Sequence, residues 1–313
     1  MTVISTDQAV TIIRQGGLVA FPTETVYGLG GNAFDDKAVA SIYATKGRPD
    51  FNPLIIHFKN IASAKEQVEW NHNAELLAKA FWPGPLSLVL RRAKQCKVSL
   101  LASAGLDTLA VRVPANPTAH VFLEACDLPL AAPSANRSGR ISPTEVAHVE
   151  AEFGNHVAVL SGERCSVGLE STVVDASSDK LVLLRPGAIT REQLEKTLGT
   201  SVAVAGENSK ITAPGMLTSH YAPNLPMRLN IAAVKEGEAL LAFGPKALPG
   251  ASKTLNLSEK ANLEEAAANL FAYLRKLDSK DFRGIAVMPI PETGIGVAIN
   301  DRLRRAAADK NKV

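Results

Sequence analysis

Apolar and polar positions alternate in short runs through the first two-thirds of the chain, and their period switches between two and about 3.6. Leu18 to Phe21, Leu54 to Phe58, Ser87 to Leu90 and Leu109 to Val113 read as strands, as do Val157 to Leu160, Ser171 to Asp175 and Leu181 to Leu184. Helical patterns lie between them. Asp35 or Asp36 caps a helix whose apolar face pairs Ala38 with Ile42 and Val39 with Tyr43. Ala74 to Trp82 is a helix stopped by Pro83-Gly84-Pro85, and Pro117 to Cys126 begins with the proline that a first helical turn tolerates. Thr190 to Leu198 carries a capping box in Thr190 and Gln193, with Gly199 past its end. Alternating strands and helices imply an α/β layered domain, and strands that follow one another directly imply a mixed sheet.

Periodicity fades after residue 200, where Gly, Pro, Ser and Asn accumulate, and restarts near Met227. Strands near Met227 to Ile231, Ala239 to Phe243 and Ile285 to Ile290, with helices near Leu263 to Leu277 and Gly296 to Ala308, make a compact βαβ-type module. The expected organisation is an α/β domain over residues 1–200, a linker over 201–226 and a small Rossmann-like domain over 227–313.

Composition narrows the class. At 313 residues two domains are the natural expectation, and 46% hydrophobic content supports a packed core. A net charge of +3 without a dense Lys/Arg block permits nucleic-acid binding without arguing for it. Cys96, Cys126 and Cys165 lie far apart with no Cys-x-x-Cys spacing, which reads as reduced thiols rather than a zinc site. Neither a signal-like start nor a membrane-length apolar run is visible, so a cytoplasmic protein is expected.

The chemistry gathers at strand ends. Phe21 to Gly30 reads F-P-T-E-T-V-Y-G-L-G, and Lys46-Gly47-Arg48-Pro49 follows the next helix. Gly47 and Pro49 should end that helix and place Lys46 and Arg48 on a loop, where two cations face an anion. Gly28-x-Gly30-x-x-Ala33 fits a dinucleotide fingerprint loosely, but Pro22 interrupts the preceding strand and no acidic residue follows at the ribose position; a tight turn is expected there instead. His57 ends a strand. Arg112 ends another and, if buried, needs an anionic partner. Ala131 to Gly139 offers small side chains beside Ser134 and Asn136, while Ser171-Thr172 and Arg185-Pro186-Gly187 repeat the pattern at later strand ends. Five such loops favour one converging polar site. None of the six histidines accompanies a G-x-S-x-G elbow, so a covalent intermediate is not expected.

In this combination and order, P-T-E-T-V-Y-G-L-G, Lys46-x-Arg48, Ser134-x-Asn136, E-S-T-V-V-D from Glu170 to Asp175, and Arg185-Pro186-Gly187 resemble the threonylcarbamoyl-AMP synthase family of YrdC type. Pro214-Gly215 and His220-Tyr221-Ala222-Pro223 resemble its long, two-domain form. One departure is Ser161-Gly162-Glu163-Arg164, where the family usually has D-G-G. The resemblance implies a YrdC-like twisted mixed sheet around a concave cavity. It also implies synthesis of L-threonylcarbamoyladenylate and pyrophosphate from L-threonine, bicarbonate or CO2, and ATP, with Mg2+ accompanying the nucleotide.

Carried over by motif, the resemblance places Thr25, His57, Arg112, Ala132 and Thr172 at threonine or its carbamate. It places Arg48, Asn52, Thr108, Ser134, Ser142 and Arg185 at ATP, with Lys46 and Asn136 completing motif pairs and Tyr221 laid across the cavity from the linker. In the mechanism expected from it, Arg112 grips the threonine carboxylate while Lys46, Arg48 and Arg185 neutralise the triphosphate. A downstream tRNA threonylcarbamoyl transferase would consume the product, and direct contact with tRNA, at most weak, stays open. The alternatives are a non-catalytic factor binding double-stranded RNA, which leaves Ser134, Asn136 and Thr25 without purpose, and a carbamoyl-transfer relative of the hydrogenase maturation proteins, which the lack of zinc-finger cysteines disfavours.

Overall fold

A computed structural model describes residues 3–206, 213 and 220–308, so Pro214 and Gly215 lie outside the described residues. Within these, an eleven-stranded mixed sheet runs, in spatial order, Val3–Ile4, Ala158–Leu160, Val19–Phe21, Gly28–Asn32, Leu130–Ala131, Ile55–His57, Thr108–Arg112, Leu86–Arg91, Thr172–Asp175, Val182–Arg185 and Ala203–Val204. The last two-residue strand pairs in parallel with Val182 and Leu183, so the sheet extends past the boundary expected at residue 200. An edge strand that short leaves no periodic signal.

Strand alternation sorts this sheet into two unlike faces. Leu54, Ile56, Leu88, Leu90, Leu109 and Val111 pack with Val39, Ile42, Ala74 and Leu77 of the helices Asp36–Lys46 and His72–Phe81 in one buried cluster. Residues of opposite parity, Ile55, Val89, Ala110, Val173 and Leu184, form a much smaller cluster on the other face. That thinly covered face carries His57 and Arg112, which stand opposite each other across two parallel strands.

Two local readings of the sequence need correction. Lys46 is the last residue of the helix Asp36–Lys46, capped by Asp35, and the loop starts only at Gly47, whose φ of 59° closes the helix. Gly28–Asn32 is a strand rather than a tight turn. Its glycines are required by packing: a Cβ at Gly30 would lie 2.8 Å from the Phe21 ring and one at Gly31 2.9 Å from the Leu18 side chain.

After the large sheet, four parallel strands run in the spatial order Met227–Arg228, Gly284–Val287, Glu238–Ala242 and Lys253–Asn256. The last is a half-exposed edge strand that apolar patterning misses. Helix Leu263–Leu277 buries Ala266, Ala267, Leu270, Phe271, Leu274 and Leu277, the spacing of one amphipathic face, and the helix Gly296–Ala307 buries Ile299, Leu303 and Ala306.

The two units share a core. Val26, Ile141 and Leu169, all from the large-sheet unit, belong to the cluster built around Leu270, Phe271 and Leu274. Full burial of Leu169 alone is worth roughly 1.5–3 kcal/mol. Gly168 makes the approach possible: its φ is +72°, and a Cβ there would stand 2.6 Å from the Ala267 carbonyl oxygen and the Ala268 Cα. Gly168→Ala should therefore lower stability by about 1–3 kcal/mol, since backbone rather than a flexible side chain has to move. Urea unfolding checks this, and an unchanged midpoint with unchanged slope contradicts the close packing.

Candidate active site

The sparsely covered face of the large sheet holds a cavity lined by Thr23, Thr25, Val26, Gly28, Arg48, Ile55, His57, Arg112, Ala132, Pro133, Ser134, Glu170, Ser171, Arg185, His220 and Tyr221. Gly28 and Ala132 keep its floor low. Of the residues expected at a site, Thr25, Arg48, His57, Arg112, Ala132, Ser134, Arg185 and Tyr221 therefore meet in one place.

Each buried guanidinium is held from several sides, as a charge removed from water must be. Arg112 donates from Nε to the Gly84 carbonyl at 3.1 Å and from Nη1 to Thr25 Oγ1 at 2.9 Å. Its Nη2 sits 2.5 Å from Glu24 Oε1, while Glu24 Oε2 accepts from the Ala115 amide at 3.1 Å. Glu24 supplies the anionic partner expected for Arg112. Arg185 donates to the Ser171 carbonyl at 3.0 Å and to Ser171 Oγ at 3.1 Å, and Ser171 Oγ lies 2.8 Å from Ser87 Oγ. Arg48 is held by neutral oxygens: Nε donates to the Asn52 carbonyl at 3.0 Å, and Nη2 to Asn52 Oδ1 at 2.7 Å and the Pro53 carbonyl at 2.8 Å. Burial lowers the pKa of Arg48 to about 10, so it remains cationic near neutral pH.

Other expected residues take supporting places. Lys46 Nζ donates to the carbonyls of Ser134 and Asn136, tying the helix end to that loop instead of facing the cavity. Burial, then nearby Arg48, pushes the lysine pKa well below its usual range. Asn136 donates from Nδ2 to the carbonyls of Arg137 and Arg140. Asn52 orients Arg48. Thr172 Oγ1 donates to the Ile189 carbonyl at 2.7 Å and accepts from the Ile189 amide at 3.0 Å, closing the loop after Arg185. Ser142 Oγ donates to Glu170. Thr108 shares strand parity with Ala110 and Arg112 but stands four residues back, about 13 Å along the strand, outside the cavity lining.

The expected Tyr221 forms the roof, held by two residues that sequence reasoning missed, Phe271 and Arg302. Tyr221, with a φ of 64°, is fully buried, its ring 4.1 Å from His220 and 5.5 Å from Phe271 between centroids. The Arg302 guanidinium lies 5.4 Å from the same ring, and its Nε is 2.9 Å from Glu170 Oε2. In the sequence, Arg302 reads as one more charge on a polar helix face. With His220 and Tyr221 inside, about 50 Å³ of the cavity is free. A bound small molecule requires roughly 300 Å³ or more, so the cavity as it stands is smaller than such a ligand needs.

His57 is neutral in this setting. Burial, reinforced by Arg112, lowers its pKa to about 3. In the unfolded chain it takes up a proton below about pH 6.5, whereas the fold refuses that proton until about pH 3. Stability contributed by neutral His57 is thus complete above pH 6.5 and is lost as pH falls toward 3, by up to about 1.4 kcal/mol per pH unit. His57→Asn should flatten the decline in unfolding free energy between pH 6.5 and pH 4. Equal slopes in wild type and variant contradict the assignment.

Comparison with known proteins finds relatives that cover nearly the whole chain. A family model described as "Telomere recombination" (Sua5/YciO/YrdC) matches residues 11–187, and one described as "Threonylcarbamoyl-AMP synthase, C-terminal domain" matches residues 189–308. The threonylcarbamoyl-AMP synthase of Bacillus subtilis is 38% identical across 97% of this chain and 93% of its own length. That of Pyrococcus abyssi is 41% identical across 96% and 93%. The crystal structure of P. abyssi Sua5 complexed with L-threonine matches the fold with a TM-score of 0.89 at 37% identity, covering 96% of this chain and 94% of that one. The chain belongs to the threonylcarbamoyl-AMP synthase family.

Proposed function

We propose that this protein condenses L-threonine, CO2 or bicarbonate, and ATP into L-threonylcarbamoyladenylate with release of pyrophosphate. The convergence of Thr25, Arg48, Arg112, Ser134 and Arg185 on one roofed cavity carries the proposal. It is supported by relatives named as the synthase and by a solved relative complexed with L-threonine.

The chemistry suits such a site. The threonine amine attacks CO2, forming an N–C bond and shedding a proton to solvent. A carbamate oxygen then attacks the α-phosphorus, and the bond to the oxygen bridging the β-phosphorus breaks as pyrophosphate leaves. Negative charge stays on oxygen throughout, so positioning and fixed positive charge do the catalytic work and no side-chain nucleophile is needed. In this reading Arg48 and Arg185 hold ATP phosphates, with Ser134 and Tyr221 completing the nucleotide's surroundings; Asn52, Asn136 and Ser142 support them from behind, and Thr108 stands too far along its strand to take part. Thr25, Arg112 and neutral His57 surround threonine beside the small Ala132, and Thr172 supports them by holding the loop after Arg185. Lys46 acts by holding the Ser134–Asn136 loop.

Among the described residues no group of three or more His, Cys, Asp or Glu side chains could hold a metal ion. Mg2+ in this proposal accompanies the nucleotide's phosphates, the usual way this ion enters such reactions. The adenylate is susceptible to water, so a closing roof protects the yield. A tRNA threonylcarbamoyl transferase is the proposed consumer, and the cytoplasm the proposed location; no helix among the described residues is long and apolar enough to cross a membrane.

Incubation with ATP, threonine and labelled bicarbonate should yield labelled adenylate detectable by mass. Arg48→Ala should slow its formation by about 30- to 1,000-fold, the range for losing a charge-stabilising donor. Turnover within a few-fold of wild type removes Arg48 from the chemistry. Binding of ATP with threonine should also raise the melting temperature by mass action, whereas a double-stranded RNA binder responds to RNA alone.

A further inference from the structure

The small domain reaches the cavity through one side chain. Arg302, fully buried on the helix Gly296–Ala307, crosses the domain boundary to Glu170, which lines the cavity. Its Nε lies 2.9 Å from Glu170 Oε2 and its Nη2 donates to the Glu170 carbonyl at 3.4 Å. Nη1 is held from behind by Asp301 at 2.7 Å. Glu170 in turn accepts from Ser142 Oγ, so one carboxylate joins both domains. Above this pair lies the Tyr221 ring, 5.4 Å from the guanidinium and packed at 5.5 Å against Phe271 of the helix Leu263–Leu277. Two residues of the small domain, one cationic and one aromatic, therefore grip the tyrosine that roofs the cavity.

We propose that Arg302 is a positioning residue that seats Tyr221 in the cavity roof and fixes the Glu170 carboxylate, and that the small domain acts in the reaction by holding this roof. The inference deepens the proposed adenylate synthesis and rests on it for its catalytic consequence. Its structural half stands alone. A fully buried arginine is a poor choice for stability, since an apolar residue of similar volume commonly serves as well or better. Stacking on an aromatic face while chelating a carboxylate is a task for a planar, always-charged fork, which Lys cannot perform. The grip also bears on the shape of the cavity, because Tyr221 and its neighbour His220 are both part of its lining.

Tetranitromethane nitration, mapped by peptide mass, tests the seat without any turnover. Tyr27 is equally buried, with its hydroxyl donating to the Gly162 carbonyl at 3.0 Å, and reports on the integrity of the large domain. In wild type both tyrosines should resist nitration. In Arg302→Met and Arg302→Lys, Tyr221 should react at least about tenfold faster while Tyr27 stays protected. Protection of Tyr221 equal to wild type overturns the proposal, as does simultaneous exposure of both rings. Phe271→Leu, which removes the stacking ring and leaves the ion pair, should expose Tyr221 in the same selective way and serves if the Arg302 variants do not fold.

A double-mutant cycle then tests the catalytic half. Arg302→Met should lower adenylate formed per ATP consumed by about tenfold in the wild-type background and have almost no further effect beside Tyr221→Ala, since the two residues act as one unit. Full additivity overturns the positioning role. Absence of adenylate from the wild-type protein itself would instead sink the proposed synthesis and leave the nitration result to decide the seat.

Discussion

Burial of positive charge is the constraint on which the site depends. Lys46, Arg48, Arg112, Arg185 and Arg302 are each less than a tenth exposed, and the carboxylates buried near them among the described residues are Glu24 and Glu170. An unpaired buried charge costs several kcal/mol, so every one of these cations is anchored. The anchors differ, and the difference assigns work. Arg112 and Arg302 are paired with carboxylates, which fix where each guanidinium stands. Arg48 is held by carbonyl and amide oxygens alone in the described contacts, which orient the group without neutralising it.

The sheet makes this arrangement possible by keeping its faces unlike. One face spends Leu54, Ile56, Leu109 and Val111 on a helix-covered core, so the other can afford His57 and Arg112 on the same two strands. A one-residue slip in either strand would drive the histidine and the arginine into the aliphatic core. Core and site thus fix one register, and the site inherits its rigidity from the packing behind it.

Much of this was legible in the sequence, for identifiable reasons. The capping box at Thr190 and Gln193 and the Asp35 cap announce helix starts with local hydrogen bonds, and both form. Strand ends bearing Thr25, His57, Arg112, Ser134 and Arg185 announce a site because such residues are out of place on apolar strands. Legibility failed where the signal is not local. Gly28–Asn32 looks like a turn because its glycines serve neighbours, Phe21 and Leu18, rather than backbone freedom. Lys46 looks like a phosphate ligand because pattern cannot reveal that its ammonium is consumed by the carbonyls of Ser134 and Asn136. Arg302 was invisible for the same reason: in the run Asn300-Asp301-Arg302-Leu303-Arg304-Arg305 nothing separates a buried arginine from solvated ones.

The shared core gives the second domain a reason to exist. The small module is more than tethered: Val26, Ile141 and Leu169 are embedded in its hydrophobic cluster, and Gly168 presses against its first long helix. Val26 belongs to the same segment as Thr23, Glu24 and Thr25, and Leu169 adjoins Glu170, so the residues that bind the domains together are sequence neighbours of those that line the cavity. A displacement of the small domain must therefore be felt at Thr25 and Glu170 within one or two residues. Physical coupling of this directness needs no long pathway. It makes the geometry of the cavity a property of both domains, although every strand of its floor belongs to one.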